Sequence, residues 1–516
     1  MADGSPPARA GVVRIVVCGG GTAGCVAAAR LSEDPAHEVT LLEVGPHYRP
    51  GEWPAELTHS HRIIKETHDW GYQARAGASP RLVHVPRGRV VGGSSVTNGA
   101  IALRGHPEHY DEWDALVDGF GWESWLPWFQ AIEADRDFGD ADGHGDSGPI
   151  PIGRYPRPWM EMQERFAEAA LAAGHGWVDD HNAPGAVGIG PIPLNMVDGH
   201  RQTPADRYLD PALDRPNLTL RTGVLVDRVL VAGERVRAVV VTGPDGPQEV
   251  PADAVVMALG TYATPAALLR SGIGPADEVG RHGITPVAEV PGVGRGMQDH
   301  PKVSYRFELA LEAPPWPNPW YQCLLTGAHE VGGERRVYQV MPYSGQVDGG
   351  QRFTDLNVQV ADARSRRGAV QLQGTDPALQ PRIEMGWFLD PSDREAAVAA
   401  GRRLMEVARQ PALAAVLTPW PGLDDPDQVL RTVETFHHPV GSCRMGRADD
   451  PDAVVDTRGR VRGLEGLWVM DASVSARVPF GNTLLAVIAL TELLCAGFPG
   501  DAEGTPVDAV GDAGTT

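Results

Sequence analysis

The chain has 516 residues, 42% of them hydrophobic and 22% charged, which suits more than one packed core and excludes fibrous or wholly disordered classes. Its net charge of −22 sets it against phosphate backbones and anionic membrane surfaces, so no nucleic-acid partner is expected. Five scattered cysteines without CxxC or Cys/His ligand spacing predict neither a disulfide framework nor a zinc site, and no metal site is assigned. Met1 to Gly11 lack the apolar run of a secretory signal, and the apolar stretch Leu484 to Phe498 is interrupted by Thr491 and Glu492; a cytoplasmic protein without stable membrane insertion is expected.

In chain order, the β-branched run Val12 to Cys18 reads as a strand, Ala23 to Leu31 as a helix of small residues, and Glu38 to Glu43 as a second buried strand. Strand, glycine turn, helix and strand in this order make a βαβ unit with a parallel sheet. The middle is irregular, with Pro-rich loops at Ile150 to Pro158 and Ala313 to Pro319 and a scatter of tryptophans that includes Trp316 and Trp320. A hairpin is predicted from Val224–Leu230 and Val236–Val241, with Gly233-Glu234 at its turn. Asp253–Gly260 and Gly466–Asp471 read as further buried strands, and a final helix runs from Thr483 to about Gly497. The expected fold is α/β: a Rossmann-like dinucleotide-binding domain built from 11–149, 202–300 and 435–498, an α+β domain from 150–201 and 301–434, and an acidic, Gly-rich disordered tail, 499–516.

Gly19-Gly20-Gly21-Thr22-Ala23-Gly24 fits G-x-G-x-x-G between a strand and a helix. Gly19 serves the tight turn, Gly21 the approach of backbone N–H groups to a pyrophosphate, and Gly24 the packing of helix on strand. Thr22 and Ala23, within the same turn, are expected at the cofactor as well. Glu43 ends the second strand, placed to accept hydrogen bonds from an adenosine ribose and to repel a 2′-phosphate. This unit does not choose between FAD and NAD.

Further blocks narrow the choice. Pro86 to Gly99, including Arg87, Val91, Gly92, Gly93, Ser94, Ser95 and Asn98, resembles the first signature of the glucose–methanol–choline (GMC) family of FAD-dependent oxidoreductases. Gly260 to Pro275 resembles the second, and Val293 to Pro301 a third stretch. His437-His438-Pro439-Val440-Gly441-Ser442-Cys443 is similar to the family's catalytic-histidine motif; Met470-Asp471-Ala472-Ser473 and Gly481-Asn482-Thr483 complete the series. The blocks stand in family order from residue 12 to about 497. The resemblance implies FAD as cofactor, with Gly260, Val226, Asp471, Ala472, Asn482 and Thr483 joining the glycine loops around it. Ser95 and Asn98 are expected to donate hydrogen bonds there. Some members hold FAD through a histidine just after the serine pair; Val96 and Thr97 stand there, which predicts a non-covalent cofactor.

Oxidation of an alcohol by hydride transfer to flavin N5 needs a base for the hydroxyl proton, and the motif gives that role to His438. In an extended segment, His437 would point away from the flavin and serve structure. Asn482 is expected to orient the substrate oxygen, with a helix N-cap as its plainer alternative. Leu484, where choline-type members often carry Asn, gives a more apolar wall. A small-molecule alcohol is thus the expected substrate, and the electron acceptor (quinone, carrier or O2) stays open, as does the oligomeric state, a homo-oligomer included. Rivals are a hydroxynitrile lyase on the same scaffold and a non-catalytic flavin binder. Ala131 to Arg221, with Pro193 to Gly199, is similar to bacterial members associated with the redox cofactor mycofactocin.

Three features read as ordinary structure. Asp140 to Asp146 lacks the last ligand of a calcium loop, and His59, His61 and His68 lack partners at ligand spacing. The Ala313 to Tyr321 loop suggests core packing or an aromatic lid. All but two of the basic residues are arginine; the lysines are Lys65 and Lys302.

Overall fold

The branched run after Val12 forms β1 (Val13–Cys18), its last four residues buried on both faces. A strand loses its solvent face in this way when helices cover both sides of a parallel sheet. The computed structural model describes residues 12–58, 63–77, 81–314 and 320–498. The predicted tail, His59, His61 and Trp316 lie outside them.

β1 leads through the glycine turn into α1 (Thr22–Leu31) and then β2 (His37–Leu42), which pairs parallel to β1 with Cys18 opposite Leu42. β3 (Leu218–Arg221), β4 (Ala254–Met257) and β5 (Leu467–Val469) complete a parallel sheet of order β3-β2-β1-β4-β5. Its strands therefore come from the start, the middle and the end of the chain. The predicted hairpin is present as Leu225–Ala232 and Arg235–Gly243, and a third strand, Gly246–Pro251, extends it.

α2 (Gly260–Arg270) follows β4, and α3 (Thr483–Ala496) closes the fold. α3 is apolar all round and buried from Leu484 to Leu494, as an interior helix must be. It packs on α1, where Glu492 accepts two hydrogen bonds from Arg30 at 2.8 and 2.9 Å. No helix among the described residues is long and apolar enough to cross a membrane.

The second half rests on an antiparallel sheet containing Pro301–Leu309, Gln351–Val360, Glu334–Pro342 and Cys323–Val331, adjacent in that order. Along Pro301–Leu309, Val303, Tyr305 and Phe307 enter a core shared with the helices Glu161–Ala172 and Pro391–Ala408. Lys302, Ser304 and Arg306 alternate with them, and all three line a cavity instead. Strand pairing crosses the domain boundary drawn at residues 301–434. Gly368–Gln371 and Arg382–Glu384 join a sheet with Arg295–Met297, Gln73–Arg75 and Leu82–His84.

Candidate active site

Loops at the C-terminal ends of β1, β2, β4 and β5 open onto one cavity of about 1090 Å³, bounded on its far side by the antiparallel sheet. Parallel sheets present their ligand crevice at this end. Gly19 turns with φ +101°, and a Cβ on it would lie 2.5 Å from the Ala258 carbonyl oxygen. Gly93 (φ +55°) faces Gly21 so closely that a Cβ would stand 2.7 Å from the Gly21 Cα. Only glycine pairs let these two loops meet and leave their backbone N–H groups to a ligand.

Three helices of ten or more residues, α1, α2 and α3, start at this cavity, and none has a side-chain N-cap or an acidic residue in its first turn. The uncapped starts of α1 and α3 and the three helix dipoles create a cradle for an anion, while the first N–H of α2 is taken by Asp471. Glu43 lies at its edge, buried, with Oε2 accepting from Gly20 N at 2.9 Å and Oε1 from Gly45 N at 2.7 Å. Burial raises its pKa, against those backbone N–H groups. Asp471 accepts from Gly260 N, Thr264 Oγ1 and Ser473 N at 2.6–2.8 Å, pinning the start of α2 to the turn after β5.

Near the middle of the cavity stands His438. Its Nε2 lies 3.1 Å from Asn482 Nδ2, and its Nδ1 lies 2.9 Å from His300 Nδ1. Gln359 Nε2 also reaches His300 Nδ1, at 2.8 Å. If the Gln359 amide donates there, His300 Nδ1 is an acceptor, and His438 carries its proton on Nδ1. Nε2 of His438 is then the acceptor on the cavity side, receiving an N–H of the Asn482 amide at 3.1 Å until a substrate hydroxyl takes that place. Asp299 accepts from the His438 backbone N–H and from Thr435 Oγ1, both at 2.8 Å, and fixes the segment.

Burial holds His438 well below the ordinary imidazole range, with His300, His437 and Arg87 pushing the same way. The same burial pushes His300 down to about 3 and Asp299 up to about 6. The cluster is therefore a neutral, base-ready pair at physiological pH.

Family models described as GMC oxidoreductase match residues 13–302 and 363–491. The chain belongs to the GMC oxidoreductase family. It is 35% identical to a GMC-type oxidoreductase from the thcA 5′ region of Rhodococcus erythropolis, over 94% of this chain and 98% of that one. An oxygen-dependent choline dehydrogenase of Stenotrophomonas maltophilia is 34% identical, with 93% of each chain covered. The crystal structure of pyridoxine 4-oxidase from Mesorbium loti superposes with a TM-score of 0.87 at 31% identity, over 95% of this chain and 100% of that one.

As a GMC oxidoreductase it is an FAD-dependent enzyme, and the cavity fits that group. A Cβ on Gly93 would strike the Gly21 backbone, so the two loops that border the anion cradle can meet only without side chains. Arg87 Nη2 and Asn482 Oδ1 are buried there without a partner, as expected of atoms that meet a cofactor or substrate.

Most of the residues anticipated at the cofactor do line the cavity: Gly19, Gly21, Thr22, Ala23 and Glu43 from the βαβ unit; Arg87, Gly93, Ser94, Asn98 and Gly99 from the second loop; and Val226, Gly260, Asp471, Ala472, Asn482 and Thr483. Gly24, Val91 and Gly92 do not. Gly24 is pressed against the Gly19 carbonyl, Val91 is fully buried, and the Gly92 N–H is taken by Gly20 O at 2.7 Å. They shape the loops from behind. The Ser95 hydroxyl donates to Gly92 O at 2.6 Å, so it is not available to a ligand. Asn98 Oδ1 accepts from Ala100 N and from the buried Arg201 guanidinium, leaving its NH2 for the cavity.

His437 departs from the expected geometry. It takes a left-handed φ of +71°, so the pair is not extended and both rings line the cavity. Asn482 is the N-cap position of α3, yet its side chain makes no cap bond. His300, Gln359 and Lys302 carried no role in the sequence reading. Asp-His-Pro immediately before an alternating strand, Asp299 to Leu309, is the signal that marks His300 and Lys302; Gln359, on another strand, has no such signal.

Proposed function

We propose that this enzyme oxidises a small-molecule alcohol to the carbonyl compound, with His438 as base and Asn482 as orienting group. The observation that carries the reading is the juxtaposition of His438 Nε2 and Asn482 Nδ2, 3.1 Å apart on the cavity wall, with the opposite nitrogen of His438 engaged by His300. Bound FAD supplies the acceptor for the hydride. Asn482 donates to the alcohol oxygen and holds it toward His438, and His438 takes the hydroxyl proton at Nε2 as the carbon loses its hydride. His300 accepts from Nδ1 throughout, so the imidazolium that forms keeps a hydrogen-bond partner in the buried site.

Relatives named for choline and pyridoxine, both alcohols, support this substrate class. Gly19, Gly21, Glu43, Arg87, Gly93, Ser94 and Asp471 are proposed to hold FAD, without a covalent bond at Val96 or Thr97. Acid precipitation that leaves the yellow colour in solution tests the last point. The function is tested by mixing the holoenzyme anaerobically with an alcohol panel. Bleaching of the flavin is expected; an unchanged spectrum with cyanohydrin cleavage overturns the reading. Reoxidation by air against a quinone then assigns the acceptor.

A further inference from the structure

The cavity lining beyond His438 and Asn482 carries a charge that the oxidation step does not use. Lys302 lies on the cavity side of its strand, directly across from Glu434 in the register, and its Nζ is 2.9 Å from Glu434 Oε2. The two partners are unequally placed: the lysine side chain is 15% exposed and the glutamate 54%. Water screens the carboxylate, while the ammonium faces the interior with one of its three donors engaged by Glu434. Asp355, the other acid on this wall, is held by two 2.8 Å bonds from Arg306 and is thereby neutralised. The chain's other lysine, Lys65, lies on the exposed rim of the same cavity beside Glu66.

His300, in contact with His438, and Lys302 are two residues apart, roughly 7 Å between Cα atoms along an extended chain. The cavity lining also holds aromatic rings: Phe436, 5.4 Å from the ring of His438, and Tyr343, 5.1 Å from that of Trp320. His437, on the same wall, is flanked by Arg87, Lys302 and Lys65, which together with its burial disfavour a positive charge there.

Resting on the reading of His438 as base, we propose that Lys302 is a specificity determinant that selects alcohols bearing a carboxylate at the end remote from the hydroxyl, on a flat apolar body, and disfavours cationic alcohols. Of the acids that line the cavity among the described residues, Glu434 and Asp355 are ion-paired, and Glu43, Asp471 and Glu66 accept from backbone N–H groups, which sets them poorly against a quaternary ammonium.

The test uses the holoenzyme and three probes of one shape: 4-(hydroxymethyl)benzoate, benzyl alcohol and 4-(hydroxymethyl)phenyl-trimethylammonium. Equilibrium binding is followed by the flavin spectrum or calorimetry, and flavin bleaching is followed separately. The carboxylate is expected to bind about tenfold or more tightly than benzyl alcohol, the size of one charge-assisted contact. That advantage should vanish in Lys302→Gln, return in Lys302→Arg and grow in Glu434→Gln. It should also shrink with added salt in the unmodified enzyme, a measurement that needs no variant to fold. Equal binding of the carboxylate and the neutral alcohol, or a preference that ignores salt or survives Lys302→Gln, overturns the proposal. If the carboxylate binds preferentially but no probe bleaches the flavin, the assigned oxidation fails and the charge selection stands.

Discussion

Two buried histidine clusters in this molecule have opposite electrostatics. At His438 the ring's neighbours are another imidazole and an amide, and burial keeps it neutral. At His144 the ring lies between Glu133 and Asp180, 3.0 Å from each, inside a network that also ties Arg104 to Glu133 and Arg154 to Asp135 and Asp180. Those hydrogen bonds push His144 up to about 9 and Asp180 down to about 2. Glu133, Asp135 and His144 have the spacing of a metal site, but two arginines already supply the positive charge. A histidine thus becomes a base or a structural cation according to whether an acid touches it.

The comparison breaks first at His438. Replacing it by Ala should lower the rate of anaerobic flavin reduction by about 10²–10⁴-fold while FAD stays bound, measured by stopped-flow and by the bound-flavin spectrum. In the other cluster, Glu133→Gln strands Arg104, and denaturant melts should show a loss of about 3–5 kcal/mol, the usual cost of breaking one side of a buried pair. Asn482→Ala removes a single positioned donor and should cost about 10²-fold in kcat/KM, with the melting curve nearly unchanged.

The smallest effects are in pH profiles. A base depressed below 6.5 stays unprotonated in weak acid, so the acidic limb of kcat/KM should fall below pH 6.5. His144, raised in the folded state, contributes stability that is complete below pH 6.5 and is lost as pH climbs through about 9. Asp180, lowered, contributes above pH 3.8 and loses its share as pH falls through about 2. Thermal melts across pH 5–10, with His144→Gln as control, should show the alkaline loss only in the unmodified protein.

The βαβ unit was legible because local pattern and tertiary role agree there: Val13 to Cys18 is branched, and the parallel sheet buries both faces. β3 was not anticipated, since Leu218–Arg221 is short and ends in a charged residue; its pairing with β2 supplies what its composition does not. The alternation Val303, Tyr305, Phe307 was present in a stretch read only as irregular. Within the site, His438 and Asn482 were reachable through motif blocks. His300 stood in such a block too, Val293 to Pro301, but its role was not legible because it depends on a contact spanning 138 positions. The orientation of His437 was also hidden, since a non-glycine residue at φ +71° has no local marker.

The order of the parallel sheet has a consequence for biosynthesis. β1 and its glycine turn are synthesised well before the β5 edge of their sheet, Leu467–Val469, and the amide beside His438 arrives only with Asn482. A nascent chain, or one cut short before residue 467, carries the dinucleotide turn without the floor that closes beneath it. Tight cofactor binding is therefore expected to await β5 and the segment after it, and a chain cut short before residue 467 should fail to retain FAD.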